Sequence, residues 1–289
     1  MKRLLFYLII GCSATANAQM VTDSILIDGH YRSFLFQPPA MLQKPQSLLF
    51  IMHGSGGSAQ NMVGPAAQLQ AKATQEKLLL VYPNGYERFW NECRKYATSA
   101  ANQENIDEAA FFSQMIGYFC HRYGIDTNRI YAAGFSGGGH MAYKLGLTMP
   151  DKIKAIAAIV ANLPDSASCD CTMAEKALPV LIVNGTADNV NPHKGGEMFV
   201  GNSSFGVVKS TQGSFDYWAG LAGYSGSPSV KELPNTDTTD GCTITQFTYH
   251  KKRRPTITLL QVNGGGHSFP KDVDVFLYAW EFFKQSRRK

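Results

Sequence analysis

The stretch that decides the reading is "RIYAAGFSGGGHMAYKLG", Arg129 to Gly146. It begins as a short β-branched and aromatic run, passes through Gly134-Phe135-Ser136-Gly137-Gly138-Gly139, and continues into residues that favour a helix. Glycine costs backbone entropy wherever the chain must be ordered. A serine ringed by glycines at a strand-to-helix junction therefore calls for a reason. Gly134-Phe135-Ser136-Gly137-Gly138 matches G-x-S-x-G, a pattern that sets a serine on a strained turn between strand and helix with its hydroxyl free. On its own the pattern is short and recurs in ordinary turns. The strand before it and the helical segment after it give it meaning.

Working outward, short apolar runs recur along the chain, the first two of them closed by glycine. "SLLFIMHG", "LLLVYPNG", "IKAIAAIVANL", "PVLIVNGTAD" and "TITLLQVNGGGH" read as central parallel strands covered on both faces. "NIDEAAFFSQMIGYFCHRYG" has helical spacing, with Asn105 or Asp107 as its cap, and "VDVFLYAWEFFKQSRR" closes the chain as an amphipathic helix. "SILIDGHYRSFLFQPP" reads as two antiparallel strands turning at Asp28-Gly29, at one edge of the sheet. Strands alternating with helices imply an α/β fold with a mostly parallel sheet and helices on both faces. The chain shows no repeat and no Ser/Thr/Pro-rich linker, so residues 19–289 are expected to form a single catalytic domain.

In such a sheet the strand C-termini share one margin, and ligands bind there. Ser136, Asp188, His267 and the His53-Gly54-Ser55-Gly56-Gly57 segment each follow an apolar run directly. Serine needs a base to take its proton. His267, in Gly264-Gly265-Gly266-His267, has the best setting among the seven histidines. His140 is expected to be a packing or surface residue, and His53 a structural member of the loop it begins. A carboxylate must orient the imidazole, and Asp188 closes its strand in the order Ser-Asp-His. The oxyanion needs two backbone donors, assigned to Gly137 and Ser55, with Gly54 second. The glycine-rich loops lack the endings of a P-loop or a dinucleotide fingerprint, so no cofactor is expected. No histidine stands at metal-ligand spacing from the cysteines, so no metal is expected either.

The 289 residues carry a mild formal charge of +5, without a basic stripe interleaved with aromatics, so nucleic acid is not an expected partner. Lys251 to Arg254 read as solvated surface. "MKRLLFYLIIGCSATANAQM" reads as a secretory signal over residues 1–18, cleaved after Ala18, for a secreted or periplasmic protein. A second reading takes Ile9-Ile10-Gly11-Cys12 as a lipobox with Cys12 lipid-modified. No other segment is apolar and long enough for a membrane helix. Export permits disulfides. Cys93, Cys120, Cys169, Cys171 and Cys242 would remain after cleavage, enough for one or two bridges with pairing left open.

The stretches "HGSGGSAQNM", "YPNG" followed by Trp90-Asn91, "NIDEAAFF", "YGIDTNRIYAAGFSGGGHMAYKL", "NGTADNVNPHKGG" and "GGGHSFP" together resemble the secreted α/β-hydrolase esterases. That group includes feruloyl esterases, acetylxylan esterases and polyhydroxybutyrate depolymerase-like enzymes. The resemblance runs from about residue 47 to residue 285. It implies an α/β-hydrolase fold with a small cap and an ester hydrolase with Ser136 as nucleophile, Asp188 as acid and His267 as base. Two positions depart from the pattern. Gly137 stands where relatives often carry Asn or Met, and Phe269 where Trp is common. Phe135 and Gly266 occupy the places where tannase-type relatives bridge two cysteines, which argues against that branch.

Trp90, Phe135, Trp218 and Phe269 are the candidate substrate contacts. The connection from Asn162 to Leu178 is too short for a large lid. The longer insertion between Asp188 and His267 carries Phe205, Phe215, Tyr217, Trp218 and Tyr224. These form either a local core or an aromatic wall beside the serine. The expected partner is an ester-decorated polysaccharide or a small ester, with feruloyl or acetyl esters of plant polysaccharides first. A polyester depolymerase and a non-catalytic carbohydrate-binding protein on the same fold are the alternatives.

Overall fold

The computed structural model describes residues 19–39, 44, 46–172 and 175–286. The leader reading of residues 1–18 and the lipid site at Cys12 lie outside the described residues. In chain order, β1 (Val21–Ile27), β2 (His30–Phe36) and β3 (Gln46–Met52) are followed by the short helices α1 (Gln60–Val63) and α2 (Ala67–Lys72). Then come β4 (Leu78–Pro83), α3 (Ala100–Gln103), α4 (Glu108–Tyr123), β5 (Ile125–Phe135), α5 (Gly137–Thr148), β6 (Ala155–Ile159) and β7 (Val180–Gly185). The last third holds β8 (Gly196–Val200), β9 (Ser203–Val208), α6 (Thr211–Leu221), β10 (Ser229–Glu232), β11 (Thr243–Tyr249), β12 (Ile257–Asn263) and α7 (Val275–Ser286).

Ten strands form one sheet in the order β1-β2-β4-β3-β5-β6-β7-β12-β11-β10. The six strands from β4 to β12 in that order run parallel, and β1 and β2 add antiparallel at one edge. The Asp28-Gly29 turn pairs Ile27 with His30. Both turn residues have positive φ (47° and 84°). That is the two-residue hairpin turn whose twist matches the strands it joins. The opposite edge was not foreseen: β11 and β10 also add antiparallel there. Their residues are mixed polar and apolar, "TITQFTY" and "SVKE", and carry no continuous apolar run to announce a strand. The insertion between Asp188 and His267 thus forms the separate β8–β9 hairpin, α6 and these two edge strands.

The core lies in two layers because strand side chains alternate. Leu48, Phe50 and Met52 of β3 face the layer that holds Phe112 and Phe119 of α4, Leu145 of α5 and Trp218 of α6. Leu49 and Ile51 face the layer that holds Met62, Leu69 and, from α7, Phe276, Trp280 and Phe283. Each large apolar side chain so buried contributes about 1.5–3 kcal/mol. Helix α4 starts at Asp107, whose carboxylate accepts from Ala110 N–H, and stops at Gly124 with φ of 66°. One disulfide joins Cys93 to Cys171, across 78 residues of chain. It ties the loop after β4 to the loop after β6.

The parallel register aligns the functional ends. Met52 pairs with Gly134, Phe135 with Ile159, and Val262 with Gly185. The loops carrying Ser55, Ser136, Asp188 and His267 therefore leave the sheet along one margin.

Candidate active site

Ser136 has φ 53° and ψ −117°, a conformation that side-chain-bearing residues avoid. Its neighbours explain how the turn is held. A Cβ on Gly134 would run into the Gly138 carbonyl, and one on Gly138 into the Met52 carbonyl. The strand and the helix approach closely only because both positions lack side chains. Ser136 N–H donates to Ile159 C=O at 2.8 Å, which fixes the turn to β6.

Three side chains from separate loops then meet. Ser136 Oγ lies 2.9 Å from His267 Nε2, and His267 Nδ1 lies 2.8 Å from Asp188 Oδ2. Asp188 Oδ1 accepts from Val190 N–H (2.9 Å) and Asn191 N–H (2.8 Å). Those two donors suit an ionised carboxylate, which has only acceptor sites to offer. His267 then donates from Nδ1 to Asp188, and its Nε2 lone pair is left to accept from Ser136 Oγ–H. Asp188 is held from behind by a polar zip that sequence reading missed. Asn184 bonds the Ala161 N–H and C=O, Asn162 and Thr211, and Asn162 N–H donates to Asn191 Oδ1. A lone Asn inside the apolar run "PVLIVNG" was the available signal.

Facing the serine is the loop from His53 to Gly57. Gly85 N–H donates to His53 Nε2 at 2.9 Å, so Nδ1 carries the proton and donates to Gly54 C=O at 2.7 Å. Burial holds the imidazole neutral, with its pKa lowered to about 4. Gly57 N–H donates to the same carbonyl at 3.0 Å. The peptide is planar and trans, so pinning the Gly54 carbonyl on one side turns the Ser55 N–H to the other. There it meets the start of α5. A Cβ built on Gly137 would lie 2.9 Å from Ser55 N and 2.6 Å from Ser55 Oγ. Gly137 is the first residue of its helix, so its N–H has no carbonyl one turn back. The backbone of Ser55 thus packs against the first residue of α5, next in sequence to Ser136. Ser55 also fills the room that a larger residue at 137 would take, which gives the departure at that position a structural reason.

The four candidate substrate contacts separate into two pairs. Phe135 and Phe269 are half-buried with ring centroids 4.5 Å apart, and Phe135 lies 5.5 Å from the His267 ring. Trp90 is 2% exposed. Its Nε1–H donates to His53 C=O and its ring packs on the His53 ring, so it braces the loop from behind and does not line a cleft. Trp218 is wholly buried, packed on Tyr143 and against Gly146, and its assignment as a contact is corrected to core. The aromatic wall dissolves in the same way. Phe215 and Tyr224 stack on Tyr249, and Phe205 lies under the Arg94 guanidinium. Phe215 and Tyr224 thus pack within the insertion, and Phe205 against the loop after β4.

His140 is a buried packing residue whose pKa is driven well below the ordinary value, first by burial and then by the charge of Arg94. A buried ion pair between Arg32 and Glu108 (2.8 Å) was also unforeseen. Glu108 Oε1 accepts from Asn91 N–H, so the pair anchors the loop that carries Trp90. Among the described residues no cluster of His, Cys, Asp or Glu has the makings of a metal site, and no helix is long and apolar enough to cross a membrane.

Comparison with known proteins agrees with this architecture. Residues 40–203 match the family model described as Phospholipase/Carboxylesterase. Feruloyl esterase B of Piromyces equi is 29% identical over 186 residues, covering 63% of this chain and 32% of that protein. Feruloyl esterase D of Neurospora crassa is 28% identical over 155 residues, covering 50% and 49%. The chain thus spans half or less of the length of these two relatives. Among solved structures, the acetyl xylan esterase from Aspergillus awamori superposes with a TM-score of 0.63 at 15% identity, over 92% of this chain and 99% of that one. Esterase PE8 gives 0.54 at 18% identity, over 86% and 96%. At such identities these two likenesses speak for the fold alone. With its family model matched across more than half its length, the chain belongs to the phospholipase/carboxylesterase family and has the α/β-hydrolase fold.

Proposed function

We propose that the protein is an exported serine esterase that hydrolyses carboxylic esters through an acyl-enzyme, with feruloyl or acetyl esters of plant polysaccharides as its substrates. The observation that carries the reading is the unbroken hydrogen-bonded line from Ser136 Oγ through His267 to Asp188. Ser136 Oγ attacks the ester carbonyl carbon as His267 Nε2 takes its proton. Asp188 stabilises the imidazolium that results. The carbonyl oxygen becomes an oxyanion between the amides of Ser55 and Gly137. Preorganised donors of this kind are worth about 2.7–4 kcal/mol each in the transition state. Collapse expels the alcohol, which receives the proton from His267. Water then attacks the acyl-enzyme by the same route and releases the acid.

The Phe135–Phe269 pair beside the imidazole supports an aromatic acyl group, because a planar ring packs well against such a surface. The named feruloyl esterase relatives point the same way. The Cys93–Cys171 bridge supports export, since disulfides persist in oxidising compartments. Residues 1–18 would be the leader, removed after Ala18. The test is a panel of methyl ferulate, acetylated xylan and polyhydroxybutyrate. Release of ferulate or acetate, lost in Ser136→Ala while saccharide affinity is kept, is the expected result. Cleavage of the polyester alone would move the protein to a depolymerase. Saccharide binding without any turnover would make it a binding protein.

A further inference from the structure

Helix α7 packs over β5 and β6, while the sheet runs on past it to β12, β11 and β10. Toward the strand C-termini the gap beside α7 is filled by Ile244 and its partner Val262, and one step on Leu260 stands opposite Gln246. Further along the same face, away from Ser136, the next pair in register is Thr248 with Thr258, so beyond Leu260 the face is polar. Here a groove of about 630 Å³ opens between the sheet and α7, with Lys72 at its border. That volume lies within the range of about 300–1,000 Å³ usual for small-molecule sites.

The floor is hydroxyl and carboxamide. Tyr278 OH donates to Gln246 Oε1 (2.9 Å), Gln246 Nε2 donates to Thr248 Oγ1 (2.9 Å), and Thr248 Oγ1 meets Thr258 Oγ1 at 3.2 Å. This chain fixes the rotamers, yet leaves lone pairs and the second amide N–H of Gln246 for a ligand. The wall is apolar, from Val273, Leu277, Phe282 and the Tyr278 ring. The carboxylates at the border are already engaged: Asp274 accepts from Phe276 and Leu277 N–H, and Glu281 pairs with Lys284. A strongly anionic ligand would find Lys72 as the cation at the rim and no cluster of positive charge. An alkyl chain laid on this floor would strip hydroxyls and amides of water without replacing their bonds, which is costly. A ligand with hydroxyls along its edge and C–H groups on its face meets both surfaces.

We propose that this groove binds a neutral oligosaccharide, at a site separate from the serine. Such a site would hold a secreted esterase on its polymer between turnovers. Binding itself does not depend on the esterase reading. The experiment is a calorimetric titration of the full protein with xylohexaose, repeated on Gln246→Ala and on Thr248→Val, the second of which keeps side-chain volume. Hydrolysis of p-nitrophenyl acetate is followed in parallel. The expected result is saturable binding that each substitution weakens about tenfold, as loss of one hydrogen bond to the ligand would give, with acetate release unchanged. No binding up to about 10 mM would overturn the proposal. So would binding that both variants keep, or decanoate binding in place of the saccharide. Saccharide binding sensitive to the variants, in a protein that hydrolyses no ester, would sustain the groove and reject only the esterase reading.

Discussion

Gly137→Ala tests the oxyanion geometry proposed for Ser55 and Gly137. The added Cβ would stand 2.9 Å from Ser55 N, 2.6 Å from Ser55 Oγ and 3.4 Å from Ser55 Cα. A comfortable contact between such heavy atoms is about 3.5–4.0 Å. The Ser55 hydroxyl rotates away at little cost. The Ser55 amide does not, because the Gly54 carbonyl of its own peptide is held by His53 Nδ1 and Gly57 N–H. It must retreat by about half an ångström or more, out of reach of an oxyanion that the Gly137 amide still contacts. Losing one such donor costs about 2.7–4 kcal/mol, or about 10²–10³ in kcat. The backbone contact also strains the fold, offset only in part by alanine's better helix propensity of up to about 1 kcal/mol, so Tm should fall modestly. The assay is steady-state hydrolysis of p-nitrophenyl acetate beside a calorimetric melt. A kcat reduced about 100-fold, with KM nearly unchanged in a variant that still melts cooperatively, is expected. A kcat within twofold of the wild type in a folded variant would refute the placement of Ser55 as a donor.

Three further outcomes follow from single features. His53 has its pKa lowered from 6.5 to about 4, so the unfolded chain takes up a proton first as pH falls. The stability this histidine supports is intact above pH 6.5 and lost as pH falls through 4, by about 3 kcal/mol in denaturant titrations, a slope that His53→Gln should reduce. Replacing Cys93 and Cys171 together by Ser should cost about 4–5 kcal/mol of unfolding free energy on the chain-entropy estimate for their loop, read as a lower urea midpoint. Phe269→Ala should raise KM for methyl ferulate well above its effect on p-nitrophenyl acetate; equal effects on both would remove the aromatic pair from substrate recognition.

The parallel strands were legible because each is a run that must be apolar on both faces, and in most of them a glycine marks where the strand ends. Ser136, Asp188 and His267 stood out for the same reason: each is a polar residue just beyond such a run. What the sequence concealed depends on pairing across long stretches of chain. β10 is exposed throughout, β11 is mostly partly exposed, and neither has a distinctive run, so only their neighbours make them strands. Trp90 and Trp218 are large aromatics near the catalytic segments in sequence, yet a buried indole and a cleft-lining one carry the same letter. Trp90 is turned inward by its bond to His53 C=O, and Trp218 by the hollow beside Gly146. The Asn184 zip and the Arg32–Glu108 pair are likewise polar residues whose partners lie 22–76 positions away.

The central claim is that Ser136 is a nucleophile activated by His267. The direct measurement is intact-mass and peptide analysis after exposure to a p-nitrophenyl phosphonate ester, which captures an activated serine covalently. One adduct per chain is predicted, located on the peptide that contains Ser136, and slowed by orders of magnitude in His267→Ala. An adduct elsewhere, or one formed at the same rate without the imidazole, would contradict the account.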